Sequence, residues 1–128
     1  MADDMNLYEY AVIRYVPRVE REEFINVGLV MMCKRRRWLR IEVKPDQRKL
    51  SVYDCPHSTE EIERQLSAFL KVGTGAKDAG LIAALPVEER FRWLTAVKSS
   101  CLSTSRPHPG KTADLDATFA RLWSELVE

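Results

Sequence analysis

Two runs near the start of the chain, Leu7 to Val16 and Asn26 to Cys33, are rich in aromatic, β-branched and other apolar residues, and the charged segment Arg18 to Glu23 joins them. Such residues suit a pleated surface, so the runs predict the central strands of a small sheet. In the first run Tyr8, Tyr10, Val12, Arg14 and Val16 alternate with Glu9, Ala11, Ile13 and Tyr15. Both sets are mostly apolar, the pattern of a strand covered on both faces. Pro17 ends the run because it has no amide hydrogen to give to a ladder. Arg18 to Glu23 then reads as a solvated bend or one helical turn. Gly28 sits inside the second run, where a glycine implies a bulge or the close approach of another backbone or a ligand.

Beyond Cys33 the pattern predicts a third strand over Trp38 to Val43, with Leu39, Ile41 and Val43 alternating with Trp38, Arg40 and Glu42. Pro45-Asp46 is a turn signal, and Leu50 to Tyr53 reads as a short fourth strand. Ser58-x-x-Glu61 is a capping box that opens a helix whose stripe is Ile62, Leu66, Phe69 and Leu70; Gly73-Thr74-Gly75 stops it. Ala76 to Leu85 reads as a short helical turn and a loop. Pro86, followed by Glu88 and Glu89, opens a second helix that buries Val87, Phe91, Leu94 and Val97, with Trp93 about a quarter turn off that stripe. Ser99 to Ser105 reads as extended, Arg106 to Thr112 as a rigid linker, and Ala113 to Val127 as a third helix with Leu115, Phe119, Leu122, Trp123 and Leu126 on one face. The expected fold is α+β: an antiparallel sheet of four to five strands in meander order, with about three helices mainly on one face.

At 128 residues the chain is expected to be one domain, burying about two-thirds of its unfolded surface. A content of 45% apolar and 30% charged residues is that of a soluble globular protein, and no apolar run approaches a membrane span. Met1-Ala2-Asp3-Asp4 is acidic where a signal peptide would be basic, so the expected location is cytoplasmic. The three cysteines, Cys33, Cys55 and Cys101, form no close pair and read as reduced thiols. A net charge of +1 excludes a globally basic nucleic-acid binder but leaves local patches open.

The most biased stretch is Lys34-Arg35-Arg36-Arg37-Trp38-Leu39-Arg40. Cations at a hairpin turn can grip phosphate while an indole stacks on a base, which makes Lys34, Arg35, Arg36, Arg37, Trp38 and Arg40 nucleic-acid candidates. The same charges equally serve a solvated turn that discourages edge-to-edge association. Cys55, His57 and His108 are the one set of metal-binding or nucleophilic types, but they lack the paired ligand spacings of zinc sites, so no metal or cofactor is expected. Gly110-Lys111-Thr112 matches the end of a phosphate loop, yet Ser105 stands where the first glycine belongs. Pro107 and Pro109 also remove amides that would cradle phosphate. Arg14, Glu23 and Asn26, beside the Gly28 strand, are candidates for an anion or small polar ligand; the alternative is an Arg14–Glu23 salt bridge with Asn26 securing the bend.

Tyr10-x-x-x-Arg14-Tyr15-x-Pro17, followed by Arg21-x-Glu23-x-x-Asn26-Val27-Gly28-Leu29-Val30, resembles the opening signature of the bacterial domain-of-unknown-function family 3037. One departure is Glu22, where the family pattern has a small residue, often glycine. The resemblance implies a fold and a bacterial origin but no activity, and it implies a kinase-like protein as a partner. Three functional readings follow: a small non-catalytic interaction protein, a nucleic-acid contact through Lys34 to Arg40, and a ligand binder or enzyme around Arg14, Glu23 and Asn26. The first is favoured because no catalytic group of the usual kinds is assembled in the sequence.

Overall fold

The computed structural model describes residues 5–50, 56–96 and 101–128. Its strands are β1 (Asn6–Tyr15), β2 (Ile25–Cys33), β3 (Trp38–Val43), β4 (Leu102–Thr104) and β5 (His108–Thr112). Its α-helices are the single turn α1 (Gln47–Leu50) and the longer α2 (Thr59–Thr74), α3 (Val87–Ala96) and α4 (Leu115–Leu126). The five strands form one antiparallel sheet in the order β3-β2-β1-β4, with β5 also paired to β1. The expected α+β class is what the chain adopts.

The two-sided reading of β1 explains the layers. Ala11, Ile13 and Tyr15 point into a cluster with Ile62, Leu66 and Phe69 of α2 and Phe91 and Leu94 of α3. Val12 points the other way, into a cluster with Leu29, Met31, and Phe119 and Leu122 of α4. Two of the three long helices therefore cover one face and the third covers the other. α2 begins as its capping box predicts, with the Ser58 hydroxyl accepting from the Glu61 amide, and it ends at Gly75 with φ of 72°. α4 is capped by Asp114, whose side chain accepts from the Ala117 amide. No helix among the described residues is long and apolar enough to cross a membrane.

Three local readings are corrected. The meander runs only through β3, because the chain then crosses one face as α2 and α3 and returns on the far side of β1. Leu50 lies in α1, since the Asp46 side chain accepts from the Arg48 amide and starts a helical turn; residues 51–53 of the expected strand fall outside the described residues, as does Val97. The segment read as a linker contains β5, which pairs with Asn6 to Tyr10. Proline is tolerated there because β5 is an edge strand.

Two irregularities shape the sheet. Ile13 faces Gly28 while Arg14 faces Asn26, so Val27 is the extra residue of a bulge. A Cβ on Gly28 would lie 2.8 Å from the Glu42 carbonyl oxygen and 3.2 Å from Ile13 Cδ1, so β1, β2 and β3 close on that position. Glu22, in the bend before β2, has φ of 55°. The bend thus takes the left-handed conformation that a glycine would adopt without strain.

Candidate functional site

The turn between β2 and β3 is closed by the Cys33–Trp38 pair and by the Arg37 amide donating to the Lys34 carbonyl at 3.1 Å. Arg37, the last residue of the turn, takes a left-handed conformation with φ of 52°. All four side chains, Lys34 to Arg37, are exposed. Arg36 is tied down, its Nε donating at 2.9 Å to Oδ1 of the buried Asn6 at the start of β1.

Lys34 stands where three clefts meet. One, of about 430 Å³, is lined by Met5, Leu7, Lys34 and Arg35. A second, of about 290 Å³, shares Leu7 and Lys34 and adds Tyr8, Glu9, Met32 and Pro109. The third, of about 680 Å³, runs from Lys34 and Arg37 to Leu85, Glu88 and Arg90 near the start of α3. Leu7 is 65% exposed on β1 and Met5 is 41% exposed beside it, so apolar surface adjoins the cationic turn. Sequence reasoning missed Met5, Leu7 and Arg90, because only the pairing of β1 with β2 and the packing of α3 bring them to the turn.

The other two nucleic-acid candidates are engaged elsewhere. Trp38 is half-buried and packs against the cluster under α4. Arg40 donates to Glu42 and to Asp116, and its guanidinium lies 4.3 Å above the Phe119 ring, pinning α4 to β3.

Around Gly28 the candidates divide. Arg14 and Asn26 face each other across β1 and β2. The Arg14 guanidinium lies 4.0 Å over the exposed Phe24 ring, and its Nε is buried without a hydrogen-bond partner among the described residues. Asn26 donates to the Leu126 carbonyl at 2.8 Å, tying β2 to the end of α4, while its Oδ1 is buried without a partner. Glu23 pairs with Arg21 at 2.8 Å. The structure thus brings Arg14 and Asn26 together and turns Glu23 to a neighbour on its own bend.

The remaining motifs are scattered. His57 Nδ1 lies 3.0 Å from the Tyr15 hydroxyl on the α2 side of the sheet, whereas the His108 ring on β5 lies 5.1 Å from the Tyr10 ring and is tilted to it by 31°; Cys55 is outside the described residues. No group of three or more His, Cys, Asp and Glu side chains is placed to hold a metal among the described residues. Gly110, Lys111 and Thr112 lie in β5, so their amides belong to an edge strand rather than a phosphate-cradling loop. The Asp78 carboxyl is held below its ordinary range, first by the hydrogen bond from Lys71 and then by its charge.

An antiparallel sheet with helices on both faces and an exposed cationic turn defines a fold of the α+β class. The family described as a protein of unknown function, DUF3037, matches residues 10–127, and the chain belongs to that family. No curated protein and no solved structure matches it.

Proposed function

We propose that the chain is a small non-catalytic interaction protein that docks a protein partner on the β2–β3 turn and the apolar clefts beside it. The observation that carries this reading is the adjacency of Lys34 and Arg35 to the exposed Leu7 and Met5. Exposed apolar side chains beside the cations Lys34 and Arg35 suit a partner segment with acidic residues flanking an apolar anchor. Protein is favoured over nucleic acid because the Trp38 indole packs under α4 and Arg40 is spent on Glu42 and Asp116. That leaves charge at the turn without the tryptophan that base stacking there would use. A kinase-like protein, which the resemblance implies, is the first partner to assay.

Copurification from the native cell, with mass spectrometry of what is retained, tests it. The expected result is a protein that survives nuclease treatment and is lost in Leu7→Ser and in Lys34→Glu with Arg35→Glu, while circular dichroism is unchanged. A partner retained by both variants would remove the turn from the reading. Retention on DNA or RNA that falls steeply with salt, and disappears when Arg35, Arg36 and Arg37 become Ala, would select nucleic acid instead.

A further inference from the structure

The third cleft differs from the two apolar ones. It lies between the β2–β3 turn and the start of α3, holds about 680 Å³, and joins Lys34, Arg37 and Arg90 to Glu88, Leu85 and Pro86. Three cations face one carboxylate there. Among the described residues no carboxylate pairs with Lys34, Arg37 or Arg90. Like charges lining one cleft repel, and that repulsion becomes attraction once an anion sits among them.

Arg90 is held in advance. Its guanidinium lies over Gly75, where an added Cβ would come within 2.3 Å of Nη1, so the missing side chain makes its room. Its hydrogen bond from Nη1 to the Ala83 carbonyl is long, 3.5 Å, and its Nε is buried with no partner among the described residues. A buried donor without an acceptor is costly, and a guanidinium fixed by packing loses little entropy on binding.

The charge indicates the ligand. Two surplus positive charges match a phosphate monoester, which carries about −1.5 to −2 at neutral pH, better than a carboxylate, which carries one. Guanidinium forks also suit phosphate oxygens bidentately. Leu85 and Pro86 form an apolar wall on the same cleft. We propose that this cleft binds a phosphate monoester dianion bearing an apolar group, with Lys34, Arg37 and Arg90 on the phosphate and Leu85 and Pro86 against the apolar part. The site goes beyond the docking surface at Leu7: it shares Lys34 with that surface but adds Arg90, Leu85 and Pro86, which line neither apolar cleft.

Phenyl phosphate is the probe, titrated by calorimetry and by amide shifts in nuclear magnetic resonance. Saturable one-to-one binding is expected, with shifts concentrated at residues 34–37 and 84–90. Inorganic phosphate should bind more weakly for want of the ring, and benzoate about tenfold more weakly for want of charge and oxygens. Affinity should fall as pH drops through about 6, where the second phosphate proton returns. Arg90→Ala tests the buried donor, and Arg37→Gly tests the turn without threatening the fold, because φ of 52° suits glycine. Each should weaken binding by about tenfold or more. Absent saturation, shifts mapped elsewhere, benzoate binding as tightly as phenyl phosphate, or an unchanged Arg37→Gly would each overturn the proposal. None of these outcomes bears on partner capture through Leu7, so the two readings fail separately.

Discussion

The Val12 amide donates to the Ser105 hydroxyl at 2.9 Å, and the Ser105 amide donates back to the Val12 carbonyl at 2.9 Å. A side chain thus stands in for a main-chain ladder partner at the point where β4 has ended and β5 has not begun. Both residues are buried, so water cannot take over the Val12 amide. Ser105→Ala should therefore cost about 1–3 kcal/mol, the penalty for stranding a buried donor. Urea unfolding should show a lower midpoint with an unchanged slope. Stability equal to wild type would mean the hydroxyl is not completing the ladder.

The break at Ser105 also shows where the sequence stops being legible. Alternation at Tyr8 to Tyr15 gave away a strand covered on both faces, and Ser58-x-x-Glu61 marked the start of α2, because these signals are local. Pro107 and Pro109 are local signals too, but they report only the missing amides. That β5 lies on an edge, where a missing amide is harmless, is a property of the sheet. In the same way the stripes of α2, α3 and α4 say that a face is buried, not which face of the sheet buries it. At the candidate site the cationic turn was legible from Lys34 to Arg37, whereas Leu7 and Arg90 reach it only through tertiary packing. The sequence suggests an Arg14–Glu23 salt bridge, but the bend pairs Glu23 with Arg21 instead.

Glu22 carries a left-handed backbone, with φ of 55°, at a position where the resemblance implies a small residue. That conformation costs an L-residue about 1–2 kcal/mol, and glycine surrenders part of the gain to its freer unfolded chain. Glu22→Gly should stabilise the protein by about 0.5–1 kcal/mol, raising Tm by roughly 2–4 °C, whereas Glu22→Ala should give no such rise. A glycine variant that melts below wild type would show that the bend is held by something other than its dihedral preference.

The Lys71–Asp78 pair, at 3.0 Å, crosses from α2 to the helical turn after it on an exposed surface. Its hydrogen bond and charge lower the Asp78 pKa in the folded state. A lowered folded value means that the contribution to stability is present above the unfolded carboxylate value and is lost as pH falls through the folded one. Lys71→Met should move the Asp78 titration back up toward the ordinary carboxylate range, and added salt should do so in part. Side-chain carboxyl carbon shifts followed through acid pH would read this directly; an unmoved Asp78 midpoint in the variant would dissociate the shift from Lys71.

Gly28 sits beside the Val27 bulge, and three strands converge on it. The nearest atom to an added Cβ is the Glu42 main-chain oxygen at 2.8 Å, closer than Val43 Cγ1 at 3.0 Å. A side chain in the way can rotate, but a ladder carbonyl can move only with its strand. Gly28→Ala should therefore cost about 1–3 kcal/mol by forcing β3 away from β2. Trimming Val43 as well should not restore what is lost, because the backbone contact remains in the Gly28→Ala, Val43→Ala double variant. Hydrogen exchange should quicken in β3 while β1 and β5 stay protected. Recovery of full stability in the double variant would show instead that the crowding is between side chains, and that the strands around Gly28 are free to adjust.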